Sequence, residues 1–184
     1  MTARAPGPPS PFVIEHLPLA PPGLALDVAA GAGRHTLAIA RTGRAVEAID
    51  RDLDACRMLA RGAHAEGLPV RVVCADLERL PLPAGRYALV VDTLYLDRTL
   101  MPALVRALRP GGLLLIETFT IAQLASGHPR NPAFTLAPGE LPRLTAGLEV
   151  IAYREGPVER AGRSLHLASL AARLPVLETV STQR

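Results

Sequence analysis

Short apolar runs alternate along this chain with longer segments in which apolar residues recur every three or four positions. The runs predict strands at 24–28, 45–49, 70–74, 87–91 and 112–118, and the longer segments predict helices at 33–41, 52–66 and 98–107. Strands that alternate with helices are typical of a parallel sheet covered on both faces. The pattern therefore predicts an α/β fold.

The last part of the chain has a different pattern. Residues 136–146 predict one short helix, and the runs at 148–153 and 164–172 predict a sixth and a seventh strand. The ten residues between these strands, 154–163, are rich in glycine and proline. They are too few for a helical crossover, so the two strands should form an antiparallel hairpin.

Prolines dominate the beginning of the chain, with seven of them between positions 6 and 22. Proline disrupts the interior of a helix and also disfavours the helical conformation of the residue before it. No long helix is therefore expected there. We predict a proline-rich arm over residues 1–23, followed by a single domain over residues 24–184.

Length and composition indicate one soluble domain. A chain of 184 residues has the size of a single domain, and no apolar run approaches the ~20 residues of a membrane-spanning helix. No signal-peptide pattern is evident, so we expect a cytoplasmic protein without a membrane partner. Cys56 and Cys74 stand alone, which favours buried apolar roles over a disulfide, and no metal site is predicted.

The charged residues exclude several further classes of function. The net charge is +3, and all 20 basic Lys and Arg positions are arginine. Without lysine, a Walker-type phosphate loop and a lysine Schiff base are both excluded. The arginines are spread along the chain, and three tyrosines, three phenylalanines and no tryptophan leave few side chains on which bases could stack. A nucleic-acid partner is therefore not favoured.

The strongest chemical signal follows the first predicted strand. Asp27 leads into a turn that contains Gly31 and Gly33, whose lack of a Cβ lets backbone N–H groups approach a ligand closely. Asp50 ends the second strand, where an acid suits the two hydroxyls of a ribose. The chain thus predicts a site for a nucleoside-containing cofactor. The dinucleotide fingerprint requires a third glycine where Thr36 stands, which disfavours NAD.

The Asp-x-Ala-x-Gly-x-Gly pattern at 27–33 resembles motif I of the class I S-adenosylmethionine-dependent methyltransferases, with Ala29 in place of the first glycine. The resemblance continues through strand ends at Asp76, Asp92 and the Leu-Arg-Pro-Gly-Gly step at 108–112, and covers residues 24–172. It implies a Rossmann-like seven-stranded sheet in the order 3-2-1-4-5-7-6 with strand 7 antiparallel. It also implies S-adenosylmethionine as cofactor, bound by Asp27, Ala29, Gly31, Gly33, Asp50, Arg51, Asp76, Leu77 and Asp92.

The region after the fifth strand resembles a narrower group. Glu117-Thr118-Phe119-Thr120 and the segment 131–141 are similar to bacterial proteins of the tellurite-resistance type, which are also described as methyltransferase-domain proteins. This similarity does not establish chemistry on tellurite.

No fixed catalytic constellation appears, which suits methyl transfer. Displacement at a sulfonium has a good neutral leaving group, so the protein mainly has to align the reactants and exclude water. A base is needed by some members of the family, and the candidates are Asp92, Tyr95 and His128, with Asp97 and Glu117 also near the strand ends. Each candidate has a plain structural alternative, namely a turn cap, a packed aromatic ring or a solvated loop histidine.

The expected function is methyl transfer from S-adenosylmethionine to a small or soluble acceptor. Nucleic-acid amine methyltransferases carry an Asn/Asp-Pro-Pro-aromatic step after strand four, whereas this chain has Asp92-Thr93-Leu94-Tyr95. A cofactor-binding protein without turnover and an NAD(P)-dependent oxidoreductase are the alternatives. The acceptor is not readable, and both a monomer and a homodimer stay open. We expect the arm and the segment 119–137 to flank the acceptor.

Overall fold

The computed structural model describes residues 7–160 and 162–176, and the predicted strands and helices recur there with somewhat shifted ends. The strands are β1 (Ala25–Val28), β2 (Val46–Asp50), β3 (Val70–Cys74), β4 (Tyr87–Thr93), β5 (Leu108–Phe119), β6 (Glu149–Arg160) and β7 (Arg163–Arg173). The α-helices are α1 (Pro11–His16), α2 (Arg34–Ala40), α3 (Leu53–Ala65), α4 (Met101–Ala107) and α5 (Glu140–Leu144). Short 3₁₀ turns lie at Leu17–Leu19, Ile121–Ser126 and Pro132–Phe134.

All seven strands belong to one sheet in the order β3-β2-β1-β4-β5-β7-β6. The first five strands pair in parallel, and β7 pairs antiparallel with both β5 and β6. The predicted strand order and the predicted antiparallel hairpin are therefore confirmed. Glycine and proline at 156 and 157 shortened the predicted sixth strand, but β6 lies at the edge of the sheet, where proline is tolerated.

Side chains alternate between the two faces of the sheet, and a separate apolar core lies on each face. On one face α1 and α2 pack against β1, β4 and β5, with Phe12, Ile39 and Leu115 buried among the contacts. On the other face α4 and α5 cover the sheet, with Leu104 and Leu141 fully buried. Burying a leucine side chain stabilises a fold by roughly 1.5–3 kcal/mol, so both faces contribute strongly.

The helix α1 belongs to the core rather than to a loose arm. Phe12, Val13 and Leu17 from this part of the chain are buried against the sheet, and Glu15 forms an ion pair with Arg154 of β6. The helix is short, as expected beside so many prolines. The first six residues of the predicted arm and the last eight of the predicted domain lie outside the described residues.

The carboxyl ends of the parallel strands meet at one edge of the sheet, which is where ligands bind in open α/β folds. The turn 29–33 follows β1 at this edge, and the ends of β2, β4 and β5 carry Asp50, Asp92 and Glu117. Within the described ranges, no helix has both the length and the apolar character needed to cross a membrane.

Candidate functional site

The turn after β1 is built from left-handed backbone conformations. Ala29, Gly31 and Gly33 have φ angles of +50°, +54° and +86°. A Cβ added to Gly33 would lie 2.1 Å from Cδ1 of Leu59, whereas one added to Gly31 would meet nothing within 4 Å. Packing therefore requires glycine at position 33, while Gly31 faces open space where a ligand could approach.

The carboxylate of Asp50 holds this turn in place. The backbone N–H of Gly31 donates to its Oδ2 at 2.6 Å, and the N–H of Asp52 donates to its Oδ1 at 2.8 Å. Each carboxylate oxygen can accept a second hydrogen bond, so Asp50 can still receive two hydroxyl groups. Arg51, beside it, is exposed.

Asp27 lies beneath the turn, where it is only 1% exposed. The hydroxyl of Thr36 donates to its carboxylate, and burial raises the pKa of Asp27 to about 6. Asp27 thus ties β1 to α2 from below. Thr36, which stands where the dinucleotide pattern has its third glycine, therefore holds the buried Asp27 carboxylate.

The end of β3 supplies Asp76 and Leu77. Asp76 is half-buried, and its Oδ1 accepts the N–H of Glu78 at 3.1 Å. Leu77 is buried in the core on the α4 face. Asp76 therefore lies at the open edge of the sheet, and Leu77 beside it lies in the apolar interior.

Asp92, at the end of β4, is completely buried. Neither of its carboxyl oxygens has a hydrogen-bond partner among the described residues. Burial, with a further contribution from Asp27 and Asp97, raises the pKa of Asp92 well above its usual range. Buried polar groups normally have partners, so Asp92 lacks a group that a ligand could supply.

A hydrogen-bonded chain connects the N-terminal part of the protein to the start of α2. The N–H of Ser10 donates to Nε2 of His35 at 2.9 Å, so Nδ1 carries the proton and donates to Oγ1 of Thr93 at 3.0 Å. Arg34 Nη2 also approaches Thr93 Oγ1, at 3.4 Å. The next residue, Leu94, has a φ of +60°, which is a strained conformation of the kind found at functional sites.

This chain keeps His35 neutral, which makes stability depend on pH. Burial, and then the charges of Arg34 and Arg160, lower the pKa of His35 from 6.5 to about 3. The unfolded chain therefore binds more protons between these values. The contribution to stability is complete above pH 6.5 and is lost as the pH falls toward 3, by about 1.4 kcal/mol per pH unit. We expect the stability advantage of the wild type over His35→Gln to shrink accordingly, as measured by urea unfolding between pH 7 and about pH 4.

Asp27 contributes the opposite slope, because its pKa of about 6 in the folded protein lies above its ordinary 3.8. Its contribution to stability increases as the pH falls from 6 to 3.8. The comparison with His35→Gln cancels this term, because both proteins keep Asp27. A difference in unfolding free energy that stays constant over the range would contradict the assignment of a neutral, pinned His35.

A cavity of about 260 Å³ lies beside the chain of hydrogen bonds, between α1 and the β6–β7 hairpin. We call it the hairpin cavity, and its walls include Phe12, Glu117, Val158, Arg160 and Leu167. Within it, Arg160 Nη2 donates to Glu117 Oε1 at 2.9 Å, and the hydroxyl of Ser169 donates to Glu117 Oε2 at 2.9 Å. Glu117 pairs across the sheet with Thr93, so the cavity adjoins the end of β4.

The three candidate catalytic residues do not converge. Asp92 points to the α4 face of β4, and Tyr95 is half-buried with its pKa raised to about 12 by burial. His128 is exposed, in a loop where its ring lies 6.1 Å from the ring of Phe119. The hairpin cavity is lined by other residues.

The segment 119–137 takes a different course from the one expected. It packs against β7, where the N–H of His166 donates to Gln123 Oε1 at 2.6 Å, and beside α4, where Arg98 donates to the carbonyls of Ala133 and Thr135. The wall of the hairpin cavity opposite α1 is formed by the hairpin instead. Gln123 and Arg98 secure the segment at those positions.

Several residues of this region were absent from the sequence-based candidates. Among these residues, only Arg34 had a local signal in the sequence, because it directly follows the glycine turn. Ser10 and Arg160 lie 150 positions apart yet share a hydrogen bond of 3.1 Å. Their meeting depends on the hairpin folding back onto α1, which no local pattern encodes.

Comparisons with known proteins agree with this architecture. Residues 25–112 match the family described as a methyltransferase domain. No curated protein sequence matches the chain significantly. Among solved structures, TehB from Haemophilus influenzae superimposes with a TM-score of 0.75 at 21% identity, over 88% of this chain and 60% of that one. The chain therefore spans 60% of the length of that TehB structure.

Two further structures have the same fold. A S-adenosylmethionine-dependent methyltransferase from Methanosarcina mazei has a TM-score of 0.72 at 19% identity, covering 92% of this chain and 99% of its own. Geranyl diphosphate C-methyltransferase from Streptomyces coelicolor, in complex with Mg²⁺, geranyl diphosphate and S-adenosylhomocysteine, has a TM-score of 0.70 at 17% identity, covering 88% and 75%.

The strand order, the antiparallel last strand and the glycine turn after β1 define a class I, Rossmann-like methyltransferase fold. The match over residues 25–112 shows that this stretch, just under half of the chain, is similar to methyltransferase domains. S-adenosylmethionine is the cofactor that the sequence predicts. The residues present fit this cofactor in two respects. Gly31 leaves open space beside the turn, and Asp92 offers two buried carboxyl oxygens that await a donor or a positive charge.

Proposed function

We propose that the protein transfers a methyl group from S-adenosylmethionine to a small acceptor held in the hairpin cavity. The observation that carries the proposal is the position of Glu117, which lines this cavity and pairs across the sheet with Thr93. Thr93 in turn contacts Arg34 and His35, directly after the glycine turn. A cofactor site and an acceptor-sized cavity therefore meet at the same strand ends.

The proposed cofactor site uses the strand ends of the parallel half of the sheet. Asp50 would accept the ribose hydroxyls, and Asp76 and Leu77 would face the adenine. Asp92 would receive the positively charged end of the cofactor. Asp27 would act indirectly, because it lies beneath the turn and fixes it through Thr36. Ala29, Gly31, Gly33 and Arg51 complete the predicted set.

When bound, S-adenosylmethionine supplies a methyl group on a positively charged sulfur, which is strongly electrophilic. The protein's own task is to align the acceptor and to keep water out. The helix α1, pinned through Ser10 to His35, closes one side of the cavity, and the hairpin closes the other. Glu117 is engaged by Arg160 and Ser169. We therefore propose an acceptor whose nucleophilic atom needs no deprotonation by the enzyme.

The surroundings of the site support a small-molecule partner over a nucleic acid. The cavity, at about 260 Å³, lies just below the roughly 300 Å³ at which small-molecule pockets begin, so it suits a small acceptor. Cys56 is buried as predicted, whereas Cys74 is exposed, so the prediction of a buried role was wrong for Cys74. Both are free thiols, which suits a reducing compartment, and we place the protein in the cytoplasm. We keep the prediction that the protein is a monomer or a homodimer.

Calorimetric titration tests the cofactor directly. We expect S-adenosylmethionine and S-adenosylhomocysteine to bind, and NAD and NADP to give no heat of binding. Binding of a dinucleotide without a response to either adenosyl ligand would contradict the proposal. Binding of S-adenosylmethionine without demethylation of it, across a panel of small acceptors, would instead support a cofactor-binding protein without turnover.

A further inference from the structure

We propose that the acceptor is a small organic acid whose carboxylate is held by Arg160 and whose apolar body lies in the hairpin cavity. This inference rests on the proposed function, because it assigns the chemistry of the acceptor to that same cavity. Its starting point is Arg160, a buried side chain with two nitrogens that have no hydrogen-bond partner among the described residues.

The guanidinium of Arg160 is buried, with only 12% of its side chain exposed. Its Nη2 donates to Glu117 Oε1 at 2.9 Å and to Ser10 Oγ at 3.1 Å. Its Nε and Nη1 are shielded from solvent and have no hydrogen-bond partner among the described residues. These two nitrogens carry three of the five N–H groups of arginine. Leaving buried donors unpaired is unfavourable, so the site lacks an acceptor.

The neighbouring side chains do not supply that acceptor. Both oxygens of Glu117 already accept hydrogen bonds, one from Arg160 and one from Ser169. The other guanidinium of the region, Arg34, adds positive charge. Burial first, and then the charge of Arg160, lower the pKa of Arg34, while Glu117 and Asp27 act in the opposite direction. Two arginines thus interact across a region in which Glu117 is fully engaged. Glu155, the other carboxylate of the cavity lining, accepts hydrogen bonds from the Gly139 N–H and the Tyr153 hydroxyl instead.

A carboxylate is the ligand group that best completes such a site. It is an acceptor at both oxygens, and its hydrogen bonds to a guanidinium are strengthened by charge. The Arg160 side chain forms part of the cavity wall, so a carboxylate in the cavity would lie beside the guanidinium. A rotation of that side chain would turn the shielded Nε and Nη1 toward the ligand.

The rest of the cavity determines what carries the carboxylate. Phe12, Pro157, Val158 and Leu167 contribute apolar walls. A bare inorganic oxyanion would leave these walls without contact, whereas an organic acid would bury apolar surface against them. The remaining arginine of the lining, Arg154, is paired with Glu15 at 2.7 Å and is therefore already committed.

The test is titration of the S-adenosylhomocysteine-saturated protein with three probes: benzoate, its neutral analogue benzamide, and inorganic sulfate. We expect benzoate to bind at least ~10-fold more tightly than benzamide or sulfate, since a charge-assisted contact and apolar burial both contribute. Equal binding of benzoate and benzamide would overturn the role of the carboxylate. Equal binding of benzoate and sulfate would overturn the organic class of the acceptor.

Variants assign the effect to Arg160. Removing Arg160 alone would leave Glu117 as a buried unpaired charge, which is strongly destabilising. The informative variant is therefore Glu117→Gln combined with Arg160→Gln, which removes both charges together. It should bind S-adenosylhomocysteine like the wild type and bind benzoate at least ~10-fold more weakly. Arg163→Gln, in the same hairpin but outside the cavity lining, is the matched control and should bind both ligands normally.

The two proposals fail in different ways. Undiminished benzoate binding by the double variant, or no benzoate binding by a protein that binds S-adenosylhomocysteine, would overturn the carboxylate assignment and leave the proposed function in place. Failure of the wild type to bind S-adenosylhomocysteine would overturn the proposed function itself.

Discussion

Replacing Gly31 by alanine is expected to abolish most of the cofactor affinity while leaving the protein folded. The new Cβ would meet no protein atom within 4 Å, so it would project into the space proposed for the ligand. The left-handed backbone costs an alanine about 1–2 kcal/mol, and Ala29 already adopts such a conformation in the same turn. Overpacking a contact costs typically 1–3 kcal/mol. Calorimetry should therefore show S-adenosylhomocysteine binding weakened by roughly 10–100-fold.

Gly33→Ala is the matched comparison, because it places the same methyl group two positions further along the turn. There the Cβ would lie 2.1 Å from Cδ1 of Leu59, which is 1% exposed and cannot move aside freely. We expect a loss of about 3 kcal/mol or more in unfolding free energy from the clash and the left-handed φ together. If the two variants lost affinity and stability in equal measure, the proposed ligand space beside Gly31 would be wrong.

Asp50→Ala is expected to weaken cofactor binding by about 2–3 kcal/mol, because charge-assisted hydrogen bonds to ribose hydroxyls are strong. Part of this loss has a structural origin. The Asp50 carboxylate also accepts the N–H groups of Gly31 and Asp52, so its removal loosens the turn. The dissociation constant of S-adenosylhomocysteine, measured by calorimetry, should rise by roughly 30–150-fold.

Two further variants separate the contributions of Asp50. Asp50→Asn keeps one acceptor oxygen and removes the charge, so it should fall between the wild type and Asp50→Ala. Asp54→Ala removes an exposed carboxylate in the first turn of the following helix, α3, and should leave affinity unchanged. A normal dissociation constant for Asp50→Ala would show that this acid serves only the local backbone.

The parallel part of the fold could be predicted because its signals are local. The strand at 70–74 was predicted with its exact ends, and most of the other strands and helices were close to theirs. Within this parallel part the largest error concerns β5, which begins at Leu108 rather than at 112. Gly112 lies so close to the backbone that a Cβ there would meet the carbonyls of Arg109 and Tyr87 at 2.8 and 2.9 Å. The Pro-Gly-Gly step thus continues the strand through a shift of register, although it is typical of a turn.

The candidate site also has one part that could be predicted from local sequence and one part that could not. Asp50 and the glycine turn were predicted because they follow apolar strands at a spacing that resembles motif I of a known family. Arg160 was not predicted, because its environment depends on Ser10 and Glu117, which lie 150 and 43 positions away. Nothing in the composition of the hairpin marks one of its arginines as buried. Such residues become visible only when the tertiary structure places a charge beside an unfilled cavity.

The hairpin cavity has a consequence for how such proteins diverge. The residues that we name in its walls, Phe12, Glu117, Val158, Arg160 and Leu167, all fall outside the stretch 25–112 that matches the family. The proposed cofactor contacts fall inside it. A gene lineage can therefore exchange one acceptor for another by mutation in the two flanking stretches, while the inherited central stretch is preserved. On the proposed function, two descendants that agree over 25–112 can thus differ completely in the molecules they methylate.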